Sequence, residues 1–143
     1  MSNQDAPRVS DGQKIEWTED LSVGIPELDY QHKSLLTIIN KLVDHRNSSI
    51  YSEAVSSIFS GLTNYIKQHF SLEEEMMEKH GFSGLGEHRK QHIRFLREMV
   101  SMMAKPDHLT VEDLLNFLLK WFESHVRHDD QDYGRFFAEK GVS

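Results

Sequence analysis

The sequence predicts an all-α protein, an antiparallel up-down-up-down four-helix bundle with an extended N-terminal arm and a short C-terminal helix. Three observations lead there. Apolar residues recur at helical spacing in four long segments, and no segment shows convincing strand alternation. The segments are joined by short stretches rich in Gly, Pro, Asn and Ser, which set consecutive helices antiparallel. Histidines and acidic residues then fall where that topology gathers them at one end: His32, His69 with Glu73, His88 with His92, and His125 with Asp130.

Taken in chain order, residues 1–14 are polar and are expected to form a disordered tail, with the bundle domain covering 15–140. Residues 17–25 suit an extended arm anchored by Trp17. Pro26 stands where a helix can begin. The first helix is expected over 27–44, with Leu28, His32, Leu35, Ile39 and Leu42 in its apolar stripe. The second, over 52–79, starts at the N-cap residue Ser52 and carries His69, Glu73 and Met77 on one face. Gly81, Gly84 and Gly86 break the chain. The third, over 85–104, opens with His88 and His92 and continues that face through Phe95 and Met99. The fourth begins after Thr110, which with Asp113 makes a capping-box start, and runs through Leu114, Leu118, Trp121 and Phe122 to end near His125. A short terminal helix over 131–139 would lay Tyr133, Phe136 and Phe137 on the bundle.

Composition narrows the function. The chain has 143 residues, enough for one domain with a core. A net charge of −7 without a Lys/Arg cluster argues against nucleic acid and against anionic membrane surfaces as partners. No run approaches the apolar length of a membrane span, and the N-terminus lacks the apolar core of a signal peptide, so a cytoplasmic location is expected. The absence of cysteine excludes disulfides, thiolate metal sites, iron–sulfur clusters and a cysteine nucleophile.

What remains is the histidine set. His69/Glu73 and His88/His92 are spaced i, i+4, which places each pair on one helix face, one turn apart. Imidazole and carboxylate at that spacing suit a helix-borne transition-metal site, and seven ligands suit two ions better than one. A single buried histidine such as His32 is more often a hydrogen-bonded core residue. Seven polar groups at one bundle end are harder to explain that way, because each unpaired one costs several kcal/mol. His45 falls away from the cluster, His80 and His108 in or near turns, and His128, three residues past His125, is expected to be solvated, as are Glu74 and Glu75; His80 and His128 lie near the site end, which leaves them a minor supporting role. Spacing alone does not choose between Asp129 and Asp130.

With these motifs on the page, the chain resembles the hemerythrins over most of its length. The resemblance lies in Ile25-Pro-Glu-Leu-Asp-Tyr-Gln-His32, in His69-Phe-x-x-Glu-Glu with Met77, in His88-x-x-x-His92, and in Trp121-Phe-x-x-His125-x-x-x-x-Asp130 followed by Tyr133. It selects Asp130 over Asp129. It implies two non-haem iron ions with an oxo or hydroxo bridge. His88, His92 and His125 would hold one ion, His32 and His69 the other, and Glu73 and Asp130 would bridge them. The second ion is then one ligand short and could bind dioxygen reversibly, with no enzymatic turnover expected. The implied roles are oxygen transport, storage, delivery to an oxygen-consuming enzyme, or sensing. The alternatives are an oxygen, nitric oxide or redox sensor domain cut from a larger signalling protein, and a peroxidase-like or nitric-oxide-reducing enzyme. A dry ligand pocket is expected from Ile25, Leu28, Leu72, Met77, Trp121 and Phe122, because excluding water slows loss of a charged oxygen species.

Overall fold

A computed structural model describes residues 14–142. Residues 1–13, nearly all of the predicted tail, lie outside the described residues. Helices α1 (Pro26–Asp44), α2 (Glu53–His80), α3 (Leu85–Met103) and α4 (Val111–Trp121) form the bundle, and α5 (Asp130–Glu139) closes one end. No strand occurs among the described residues, and none of their helices is long and apolar enough to cross a membrane. Helix α1 packs against α2 and α4, and α2 against α3.

The helix ends follow local chemistry. Pro26 occupies the first turn of α1, where its missing N–H costs nothing. Ser52 caps α2 by accepting from the Val55 N–H at 3.2 Å. Gly81 ends α2 in the left-handed region, φ +75°, and the Phe82 N–H returns to the Met77 carbonyl at 2.9 Å. Thr110 and Asp113 exchange two 3.0 Å hydrogen bonds, completing the capping box of α4.

The expected short C-terminal helix is present as α5, but the form of its junction with α4 was not foreseen. Helix α4 does not stop near His125 and restart at residue 131. Phe122–Asp129 winds as a π-helix and joins α4 to α5 without a break. The wider turn has a physical use. His125 and Asp130 are five residues apart, which on an α-helix turns them about 140° from each other. A π-helix bonds i to i+5 and turns less per residue, so the two side chains swing toward a common face.

Two apolar layers flank the buried polar cluster. The larger is the bundle core, with Leu35, Ile39, Leu62, Ile66, Phe95, Leu114, Leu118 and Phe122. The smaller caps the end and holds Val23, Ile25, Leu28, Met77, Tyr133 and Phe137. The arm ties these together and is less extended than expected, because Glu19–Leu21 forms a 3₁₀ turn. Asn40 accepts from the Ile15 N–H and donates to its carbonyl, both at 2.8 Å. Asp29 accepts from the Val23 N–H at 2.8 Å, and Arg127 reaches Asp20 at 2.7 Å. Trp17 is half-buried beneath the Lys33 ammonium, 5.1 Å from the ring centre.

Gly134 lets α5 touch the arm: a Cβ there would lie 3.1 Å from the Val23 carbonyl oxygen. Gly134→Val should therefore push the arm and α5 apart and cost about 1–3 kcal/mol by overpacking, measured by thermal or denaturant unfolding.

Candidate metal centre

All seven predicted side chains, five imidazoles and two carboxylates, meet at the end of the bundle, none more than 4% exposed. Each comes from a different level of the helix pattern. His32 sits two turns into α1, His69 and Glu73 near the end of α2, His88 and His92 at the start of α3, and His125 and Asp130 on the π segment and its junction with α5.

The carboxylates divide the cluster in two. Glu73 turns Oε2 toward His32 Nε2 (3.3 Å) and His69 Nε2 (3.1 Å), and Oε1 toward His92 Nε2 (3.1 Å) and His88 Nε2 (3.5 Å). Asp130 turns Oδ2 toward His32 Nε2 (3.1 Å), and Oδ1 toward His88 Nε2 (3.0 Å) and His125 Nε2 (3.1 Å). One half thus presents three imidazoles and two carboxylate oxygens, the other two imidazoles and two carboxylate oxygens.

The donor set fits metal ions. The His69 Nδ1–H donates to Gln31 Oε1 at 2.6 Å, and the His92 Nδ1–H to Glu74 Oε2 at 2.7 Å. Those bonds leave each Nε2 lone pair aimed inward. Yet His32 Nε2 and His69 Nε2 stand 3.1 Å apart, and His92 Nε2 and His125 Nε2 3.2 Å. Facing lone pairs repel unless a cation lies between them. Ligand bonds of about 2.1 Å meeting at right angles put neighbouring donor atoms about 3.0 Å apart, so the spacing is that of an octahedral shell. Glu73 Oε1, His88 Nε2 and both Asp130 carboxylate oxygens are buried without a hydrogen-bond partner, which is costly unless an ion satisfies them.

Without an ion, the carboxylates and imidazoles hold one another charged. Burial pulls the His32 and His88 imidazoles down, but their bonds and charges from Asp130 and Glu73 outweigh it and push them up to about 9 and about 10. His125 is raised on the same balance, with burial opposed by Asp130 and Asp129. Burial pushes Glu73 up, but the imidazole of His69 and bonds from His32 and His69 hold it well below the usual carboxylate range. Asp130 is likewise lowered: burial and Glu73 raise it, and His125 and His32 overcome them.

The roles of several residues around the cluster escaped sequence reasoning, although Gln31, Phe70 and Tyr133 stand in the motifs of the resemblance. Gln31 and Tyr65 back His69: Tyr65 stacks on its ring at 5.6 Å and 9° and donates to the Gln31 carbonyl. Phe70 stacks on His92 at 3.7 Å and 2°. The Tyr133 O–H donates to Glu73 Oε2. Glu74, expected to be solvated, instead accepts from His92 and pairs with Arg89. The signal for Glu74 was a carboxylate beside a ligand, which cannot be told from an ordinary surface glutamate. Asp129 faces His125 Nδ1 at 3.5 Å and stands outside the cluster. Of the remaining histidines, His128 and His108 are exposed, His45 ends α1, and His80 lies edge-on to Phe137.

The expected pocket residues fall on both layers. Ile25, Leu28 and Met77 belong to the end cap, with half-buried Leu72 packed against them. Phe122 belongs to the bundle core, and Trp121 is half-buried at its edge, stacked on His125 at 4.0 Å and 16°.

Comparison with known proteins adds a family. The family model described as hemerythrin HHE cation binding domain matches residues 23–137. The chain is 32% identical over 121 residues to a bacteriohemerythrin of Pseudomonas aeruginosa, a match covering 82% of this chain and 77% of the relative. It is 32% identical over 117 residues to a myohemerythrin of Riftia pachyptila, covering 82% and 88%. A crystal structure of a hemerythrin variant superposes with a TM-score of 0.76 at 22% identity, covering 85% of this chain and 95% of the other, a likeness of fold.

Two outcomes follow from the geometry. Glu74→Ala should weaken metal affinity by about 10–100-fold in competition with a chelator, by freeing the His92 ring, while Glu75→Ala, at an exposed position, leaves it unchanged. In metal-free protein the raised His32 and His88 stabilise the fold fully below their ordinary value of 6.5, and this is lost as pH rises through about 9 and 10. The lowered Glu73 and Asp130 stabilise it above the ordinary carboxylate range, and this is lost as pH falls through their depressed values. The melting temperature of the metal-free protein should therefore peak between those ordinary values and fall toward alkaline pH. Metal, which needs neutral imidazoles, should remove the alkaline fall.

Proposed function

We infer, because this chain belongs to the hemerythrin family, that its buried cluster holds two non-haem irons and binds dioxygen reversibly. The observation that carries this reading is the unequal donor count of the two halves. Both share the carboxylates, but His88, His92 and His125 face one half and only His32 and His69 the other. The poorer half keeps one position for a small ligand. Ferrous irons held by the two halves would supply that open position and the two electrons that hold dioxygen.

The protein's own groups do the rest. Glu73 and Asp130 span both halves and hold them at a fixed separation. The Tyr133 hydroxyl steadies Glu73, and Gln31 and Glu74 lock the rings of His69 and His92. Five imidazoles against two carboxylates favour the ferrous state, and no further carboxylate enters the cluster to shift or carry protons, which favours binding over turnover. Leu28, Met77 and Phe122, all without exposed surface, keep water from the site.

The reduced protein should be colourless without air, gain charge-transfer bands in air, and lose them again under argon. Bands that persist under argon would refute reversible binding, and no bands in any state would refute the di-iron centre. The two apolar layers are separable: Phe122→Ala opens the bundle-core side and Leu28→Ala the end cap. Whichever layer guards the ligand should show autoxidation several-fold faster when opened, followed by loss of the oxygenated spectrum. No change in either variant would overturn the dry-pocket argument.

A further inference from the structure

Two routes lead from the three-imidazole half to solvent, and both open beside α3. Trp121 lies on His125, and its other side lines an open groove of about 360 Å³ between α3 and α4, with Arg94, Phe95, Phe117 and Lys120. His92 is bonded to Glu74, which pairs at 3.3 Å with Arg89, itself 45% exposed on α3. His32, in the other half, is fully buried, and its Nδ1 meets no partner.

The surface around these routes has a distinct character. Lys90, Arg94, Arg97 and Lys120 form no ion pair with a carboxylate among the described residues, although the chain carries a net charge of −7. Between them stand Ile93, 49% exposed, and Val100, 70% exposed, on one stripe of α3 with Arg97 and Leu96. Apolar residues within a cationic rim suit a protein partner of opposite charge. Glu98 and Asp129 interrupt the positive track that a nucleic-acid backbone would need.

We propose that this face of α3, with the groove to α4, docks a small acidic one-electron carrier protein whose electrons reach the metal centre through Trp121 and His125. The proposal rests on the di-iron reading above. Each encounter oxidises the carrier by one electron and reduces one ferric ion to ferrous, and two encounters restore both ions. No covalent bond forms or breaks in the transfer. The docking is brief and small, as electron-transfer encounters are, and the unpaired cations steer it. The carrier thereby returns to service the protein that autoxidation has taken out of it.

The test uses the full iron-loaded chain with a plant-type [2Fe–2S] ferredoxin as acidic carrier and dithionite as a small reductant that needs no docking. Ferredoxin should bind measurably by calorimetry, and the affinity should fall as added salt shortens the screening length. The double variant Arg94→Glu/Arg97→Glu should weaken binding and slow ferredoxin-driven reduction about tenfold or more, with dithionite reduction and iron content unchanged. Trp121→Leu, compared at saturating ferredoxin, should slow reduction by ferredoxin more than by dithionite. Ferredoxin binding that is absent, or indifferent to the charge reversal, overturns the docking site. Equal slowing with both reductants in Trp121→Leu overturns the electron route. A chain that binds ferredoxin at this face but shows no iron absorption overturns the function proposed above, and the electron route with it, so the two failures are told apart.

Discussion

The structure is organised around the shared use of Glu73 and Asp130. Each carboxylate turns one oxygen to either half of the cluster, and between them they meet all five imidazoles. Neither could be buried alone, because an unpaired buried charge costs several kcal/mol or neutralises itself. Together with the imidazoles they make a site whose repulsions only cations relieve. The end of the bundle is therefore a buried polar part of the core whose donor set fits metal ions. The apolar layer of Val23, Leu28, Met77, Tyr133 and Phe137 closes over it.

The backbone bends to that requirement. An α-helical 122–129 would turn Asp130 away from His125, and the cluster would lose a carboxylate shared by both halves. The π-helix trades regular hydrogen bonding for alignment at the one place where two ligands on a single helix are spaced five apart. The same winding carries the chain directly into α5, which brings Tyr133 to Glu73 and Gly134 against the arm. A local departure from regular helix thus supplies a ligand, a hydrogen bond to another ligand, and the lid.

The two halves differ beyond their donor count. His92 is backed by Glu74 and His125 faces Asp129, whereas His69 is backed by the neutral amide of Gln31. Anionic partners raise the basicity of an imidazole and favour the higher charge on its metal. The half richer in imidazoles is thus the better home for a ferric ion. The leaner half would leave room for a small uncharged ligand. On the proposed reading, that polarity gives the protein an inside for the ligand and an outside where Trp121 and the cations of α3 meet solvent.

Much was already present in the order of residues. Helical periodicity, Ser52, Thr110 with Asp113, and Gly81 determined four helices and their ends, because capping and periodicity act within a few residues. The i, i+4 pairs and the alternating direction of the helices determined which ligands would share one end. Local rules did not reach the rest. A spacing of five reads as a break between helices until the winding of that segment is known, so the π-helix was missed. Gln31, Tyr65, Glu74 and Tyr133 act across helices, between residues 18 to 60 positions apart, and their identities are common on any helix surface. Which carboxylate oxygen faces which imidazole, and which ligand a half-exposed tryptophan covers, depend on packing. Only the folded chain brings those atoms within hydrogen-bonding distance.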